Sequence, residues 1–132
     1  MVAMVNGFDW SSTVIPPDIS GGASATMDGT GALTVTGTST SHGSIALVLL
    51  HPHVGLDTLG IGSSGSYISE DNHAYLTVGQ NQGIVNLTTF DPVHHLASGT
   101  FYFTAQRTDS AANPATTQVT NGSFFNVEWK AQ

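Results

Sequence analysis

The chain contains no cysteine. Disulfide frameworks, thiol nucleophiles, zinc–thiolate sites and cysteine-held iron–sulfur clusters are therefore excluded. Charge is scarce as well: charged residues make up 8% of the sequence, against about 25% in an average globular protein. Arg107 and Lys130 are the two basic residues facing nine acidic ones, for a formal net charge of -7. Two cations cannot neutralise a row of phosphates, which argues against nucleic acid as a partner and against an anionic membrane surface. Long Ala, Leu, Glu and Lys stretches are missing, and no segment carries a helical period. No apolar run approaches the roughly 20 residues of a membrane-spanning helix; the longest, Ile45 to Leu50, has the length of a strand.

Glycine, serine and threonine supply the polarity that charge does not. The 132 residues fit a single domain, residues 1–132, with a core large enough to fold alone. Apolar and polar residues alternate in short runs, the signature of strands with one buried face. Val2 to Val5 and Phe8 to Val14 flank Asn6-Gly7, a hairpin pattern. Pro16-Pro17 ends that strand, because proline cannot donate to a ladder, and Ser20-Gly21-Gly22 reads as loop. Further strands are expected at Ala23 to Met27, Ala32 to Thr38, Ser44 to Leu50, Ser66 to Ser69, Ala74 to Val78, Gly83 to Phe90, Ser98 to Thr108 and Ser123 to Lys130. Gly60 to Ser66 reads as loop, since Gly62 to Ser66 is all glycine and serine. Asn121-Gly122 reads as a turn. Eight or nine short strands with frequent turns predict an all-β domain, an antiparallel β-sandwich or flattened barrel.

The residues also predict which faces are buried. Leu33 and Val35 share one face of their strand, and Phe101 and Phe103 share another, leaving Tyr102 opposite. Phe8 and Trp10 are expected on one core face, as are Phe125, Val127 and Trp129. Ser44 to Leu50, almost entirely apolar, reads as a strand covered on both sides.

The order of several segments carries a resemblance. They are Ala3-Met4-Val5-Asn6-Gly7-Phe8-Asp9-Trp10, Ala32-Leu33-Thr34-Val35-Thr36-Gly37, Ile45 to Leu49, Gly83-Ile84-Val85-Asn86-Leu87-Thr88, Ser98 to Ala105, and Val119-Thr120-Asn121-Gly122-Ser123-Phe124. In this order the chain resembles an uncharacterised family of small lipoprotein and secreted β-domains of the Bacteroidota, known as a domain of unknown function. The resemblance implies an exported domain at the outer cell surface, usually held by a lipidated cysteine and a short linker. It brings no catalytic residues. Met1-Val2-Ala3-Met4 lacks the basic start and the length of a signal peptide, which fits either a cytoplasmic protein or a leader or lipid anchor outside the sequence in hand. The strand-like start and the resemblance favour the second as the expectation.

Few residues point to chemistry. His51 and His53, and the adjacent His94 and His95, are candidate metal ligands, because imidazole suits zinc, copper or nickel. Pro52 disturbs the strand that would aim His51 and His53 the same way, and polar histidines at loop ends are the simpler reading. Glu70-Asp71-Asn72 with Asp57 offers oxygens for calcium, without the spaced ligand loop that calcium prefers. Asp9 and Glu128 are the carboxylates that could face one another as a glycosidase pair. No G-x-S-x-G elbow is present, and Gly60-Ile61-Gly62-Ser63-Ser64-Gly65 matches a dinucleotide fingerprint without the following helix. No catalytic residue and no cofactor is expected, and the domain reads as non-enzymatic.

Aromatic side chains are the better binding candidates. Trp10, Tyr67, Tyr75, Tyr102 and Trp129 could present flat faces to sugars, although Trp10 and Trp129 fit a core role. Asn86-Leu87-Thr88 and Asn121-Gly122-Ser123 match the glycosylation sequon, an incidental match in a bacterial protein. Three functions follow as expectations. The first is a non-catalytic, exported or cell-surface module. The second is a self-assembling subunit of a filament or surface layer, with Val2, Ala3, Met4 and Val5 as a strand added to a neighbouring protein's sheet. The third is a carbohydrate- or small-ligand-binding module. Asp109 to Thr117 is expected to be a partner-facing loop.

Overall fold

The structure is a computed structural model that describes residues 1–14, 22–60, 62–108 and 115–132. Eleven strands and no helix occur among these residues: β1 (Val2–Val5), β2 (Phe8–Ser11), β3 (Ala23–Met27), β4 (Leu33–Ser39), β5 (Gly43–Leu49), β6 (Gly55–Leu59), β7 (Ser64–Ile68), β8 (Ala74–Leu76), β9 (Gly83–Asp91), β10 (Leu96–Arg107) and β11 (Thr116–Ala131). Turn chemistry places the hairpins. Asn6 and Gly7 both have positive φ, 50° and 83°, the pair that a tight two-residue turn between β1 and β2 requires. Between β3 and β4, Asp28 accepts hydrogen bonds from the Thr30 and Ala32 N–H groups at 2.8 and 3.0 Å.

The strands form two layers. One layer runs β2-β1-β11-β10-β9-β6 and the other β3-β4-β5-β7-β8. The long strands β10 and β11 tie the layers together. The end of β11 pairs with β3, Trp129 opposite Ala25, and the end of β10 pairs with β8, Gln106 opposite Leu76. The ring β10-β11-β3-β4-β5-β7-β8 therefore closes on itself, with β1–β2 and β9–β6 as extensions. This is a flattened barrel, within the expected class. Every pairing is antiparallel except β11–β3, which is parallel. The parallel pair exists because β11 enters the second layer at its far end instead of turning back.

The core lies between the layers. Leu33, Val35, Ile45, Leu47 and Leu49 of one layer and Val85, Phe101, Phe103, Val119, Phe124 and Val127 of the other are buried. Full burial of each such side chain is worth about 1.5–3 kcal/mol.

Several expectations need correction. The loop expected over Gly60 to Ser66 ends at Ser63: Ser64–Ile68 forms β7, with Gly65 beneath the Phe103 ring where no side chain fits. Strand β6 was not anticipated, since Gly55 to Leu59 shows no run of strand formers. Asn121-Gly122 is not a turn but lies inside β11, where Asn121 and Asn126 take positive φ, 50° and 49°. Each marks an extra residue in β11 relative to β10, a β-bulge. The bulge at Asn126 exposes Phe125 (71%) and buries Phe124 in its place. Phe8 is 77% exposed, since it stands at the hairpin tip beyond the core. The outward residues Ser44, Ala46 and Val48 of β5 are only half-buried, so that strand is fully covered on one face alone. Val2 to Val5 is not an edge strand: β1 is paired with β2 on one side and β11 on the other. Pro16-Pro17, Ser20-Gly21 and Asp109 to Pro114 lie outside the described residues.

Candidate functional site

The outer face of the six-stranded layer carries the residues that the core does not use. Because side chains alternate along a strand, burying Phe101, Phe103 and Val85 turns Thr100, Tyr102, Ile84 and Asn86 outward. Backbone register then brings them into rows across the strands. Leu56 of β6 pairs with Asn86, Asn86 with Thr100, and Thr100 with Ser123 of β11. In the next row Thr58 pairs with Ile84, and Ile84 with Tyr102.

These rows form a shallow groove. A hollow of about 490 Å³ is lined by Leu56, Ile84, Asn86, Thr100, Tyr102, Asn121 and Ser123, with Phe101 and Gly122 also on its wall. Tyr102 is 52% exposed. The Asn86, Thr100, Tyr102 and Ser123 side chains have no hydrogen-bond partner within the protein among the described residues, and so are available to a ligand. Asn121 lends its amide to the Met4 sulfur at 3.3 Å, a weak acceptor. No lining residue is charged. The groove thus combines apolar surface, one exposed aromatic ring, two amides and several hydroxyls, a set suited to a neutral, hydrogen-bonding ligand.

The other nominated residues lie elsewhere. Trp10 is buried (4% exposed) and its Nε1–H donates to the His42 carbonyl at 3.1 Å. Trp129 (3% exposed) stacks on Phe90 and His95, with ring centroids 4.8 and 5.2 Å apart. Tyr67 and Tyr75 are half-buried neighbours, 6.0 Å between centroids. The Tyr67 hydroxyl donates to the His42 carbonyl at 3.0 Å. Burial, then the charge of Glu70, pushes the Tyr67 phenol above its ordinary value of 10.0. Of the five aromatic candidates, Tyr102 alone lines the groove.

The histidines do not converge. His53 Nδ1 contacts the His51 carbonyl at 2.9 Å. His94 Nδ1 lies 2.7 Å from Asp91 Oδ2. Among the described residues no three His, Asp or Glu side chains are placed to share a metal ion. Asp57 accepts from the Ser63 hydroxyl at 2.8 Å beside the start of β7, whereas Glu70, Asp71 and Asn72 follow its end. The calcium set is therefore split by the length of a strand. Asp9 stands in the row of Met4 and Thr120, eight residues up β11 from Glu128, roughly 25 Å away, far beyond the spacing of a glycosidase pair.

The sequence reading missed Leu56, Ile84 and Ser123 as groove residues. The signal was present in part: apolar Leu56 and Ile84 occupy outward strand positions, and the two sequon asparagines, Asn86 and Asn121, meet at one hollow. No curated protein and no solved structure matches the chain significantly. A family model does, over residues 19–128, a span that includes every residue lining the groove. The chain belongs to that family, described as Domain of unknown function (DUF6252).

Proposed function

We propose that the protein is a non-catalytic module of the outer cell surface that holds a neutral carbohydrate in the groove of β6, β9, β10 and β11. The observation that carries this reading is the uncharged strip in which Tyr102 stands beside Asn86 and Asn121. A sugar ring offers an apolar C–H face and a rim of hydroxyls. An exposed tyrosine ring matches the first, and amides that both donate and accept match the second. Ordered water can bridge the remaining hydroxyls without much loss of affinity. The lining has no carboxylate, imidazole or amine to serve as acid, base or nucleophile, which supports binding without turnover. Export is supported by the resemblance to secreted and lipid-anchored domains and by a surface polar through hydroxyls more than charge.

Affinity electrophoresis through gels containing neutral polysaccharides tests the reading. Retardation of the native protein is expected, with Tyr102→Ala weakening it about tenfold or more, roughly 1.4 kcal/mol. Tyr102 is largely exposed, so the variant should keep the native circular dichroism spectrum. Migration unaffected by every neutral polysaccharide would overturn the proposal.

A further inference from the structure

Tyr102 has a second hollow on its other side. There Thr58, Asn81, Gln82 and Thr104 enclose about 380 Å³, and Ile84 and Tyr102 belong to both hollows. Ile84 and Tyr102 are cross-strand partners, so this pair forms a saddle between the two. Polar provision is matched on either side. One hollow has the amides of Asn86 and Asn121 and the hydroxyls of Thr100 and Ser123. The other has the amides of Asn81 and Gln82, the latter with one N–H donated to the Gln80 carbonyl at 2.9 Å and its oxygen and second N–H left over, and the hydroxyls of Thr58 and Thr104. The strands are pinned at this second end, where the Thr104 N–H donates to the Gln82 carbonyl at 2.8 Å. Thr58 and Thr104 are thus presented from paired strands, and that bond ties Gln82, just before β9, to β10, which lowers the ordering cost of binding. From Thr100 through Tyr102 to Thr104 the groove follows β10 for about 13 Å, too long for one sugar ring to fill.

We infer that the groove takes an internal stretch of a neutral glycan chain, at least two rings long, lying along β10 with Tyr102 at its centre. This rests on the carbohydrate reading above and adds chain length, direction and a second set of contacts. A single ring would leave one amide pair unused. A chain laid over the saddle uses both, and the hollows, open to solvent, let it continue past either end.

Isothermal titration with neutral oligosaccharides of one to six rings tests this, using β-1,4-, β-1,3- and α-1,4-linked glucans as probes. For the linkage that binds, affinity is expected to rise at least tenfold from one ring to three and then level off. Asn86→Ala and Gln82→Ala, on opposite sides of the saddle, should each weaken the three-ring ligand about fivefold, the effect of one lost hydrogen bond. Equal affinity for one ring and three, or a Gln82→Ala variant that binds three rings like the native protein while Tyr102→Ala does not, would overturn the two-sided site and leave the carbohydrate reading standing. Native protein that binds none of the probes at any length would overturn both.

Discussion

The Phe103 ring lies so close over Gly65 that a Cβ there would come within 2.7 Å of a ring carbon. Gly65 is on β7 and Phe103 on β10, in opposite layers, so this is a contact across the core. The absent side chain is what lets the largest fully buried residue fill the space between the layers. Gly65→Ala should therefore cost about 1–3 kcal/mol, the usual penalty of overpacking, read as a lower urea midpoint with an unchanged slope. An unchanged midpoint would mean that the ring has room to move. Neighbouring serines made this segment read as loop, because local composition says nothing of a ring arriving from 38 positions further along the chain (65 to 103). Tyr102 shows the opposite case. Its outward position follows from the alternation of Phe101, Tyr102 and Phe103, and is legible without any structure.

Short elements depend on their acidic turn residues. In the β9–β10 turn Asp91 Oδ1 accepts from the Val93 and His94 N–H groups at 2.9 and 3.1 Å. The bond to the His94 ring, then those N–H groups, hold the Asp91 carboxyl below its ordinary value of 3.8. Asp28 is lowered too, first by the Thr30 hydroxyl, and Asp71 first by the Ser69 hydroxyl. A depressed folded value means that the unfolded chain binds protons first as the pH drops. The stabilisation is complete above 3.8 and is lost as the pH falls below it through the folded values. Urea unfolding across an acid series should show stability falling in that window, and Asp91→Ala should flatten part of the fall. A carboxyl titration by NMR that places Asp91 at or above 3.8 would contradict the mechanism. Strand β11 depends on asparagines in another way. Counted back from Trp129, strict alternation assigns Phe125 to the core. The bulges at Asn121 and Asn126 reset the phase, so that Val119, Gly122, Phe124, Val127 and Trp129 share the inner face. Asparagine tolerates positive φ, but the same residue also marks ordinary turns, so the sequence alone does not separate a bulge from a turn.

At the scale of the whole molecule, the two ends of the chain meet in one layer. Asn6 accepts a hydrogen bond from the Gln118 N–H at 2.8 Å, across 112 residues of sequence, and β1 pairs with β11. Such long-range pairings carry a loop-closure cost before they repay it, which places folding in the range of about milliseconds to seconds. Trp10 lies on the N-terminal hairpin and Trp129 near the end of β11, both buried. Stopped-flow tryptophan fluorescence should therefore recover on that slow timescale, and full recovery within microseconds would refute the expectation.

Composition and two-residue periodicity alone determined that this is an all-β domain without cysteine chemistry, and which face of most strands is buried, because both depend on residues close in sequence. Tertiary structure decided the rest. Leu56, Asn86, Tyr102 and Asn121 come from four different strands, and nothing local in any of them specifies the register that brings them together. That register comes from closure of the barrel around its core and from the bulges that keep β11 in phase. The groove is therefore a property of strand pairing: the sequence nominates Tyr102 by itself, and only the register sets it beside Leu56, Asn86 and Asn121.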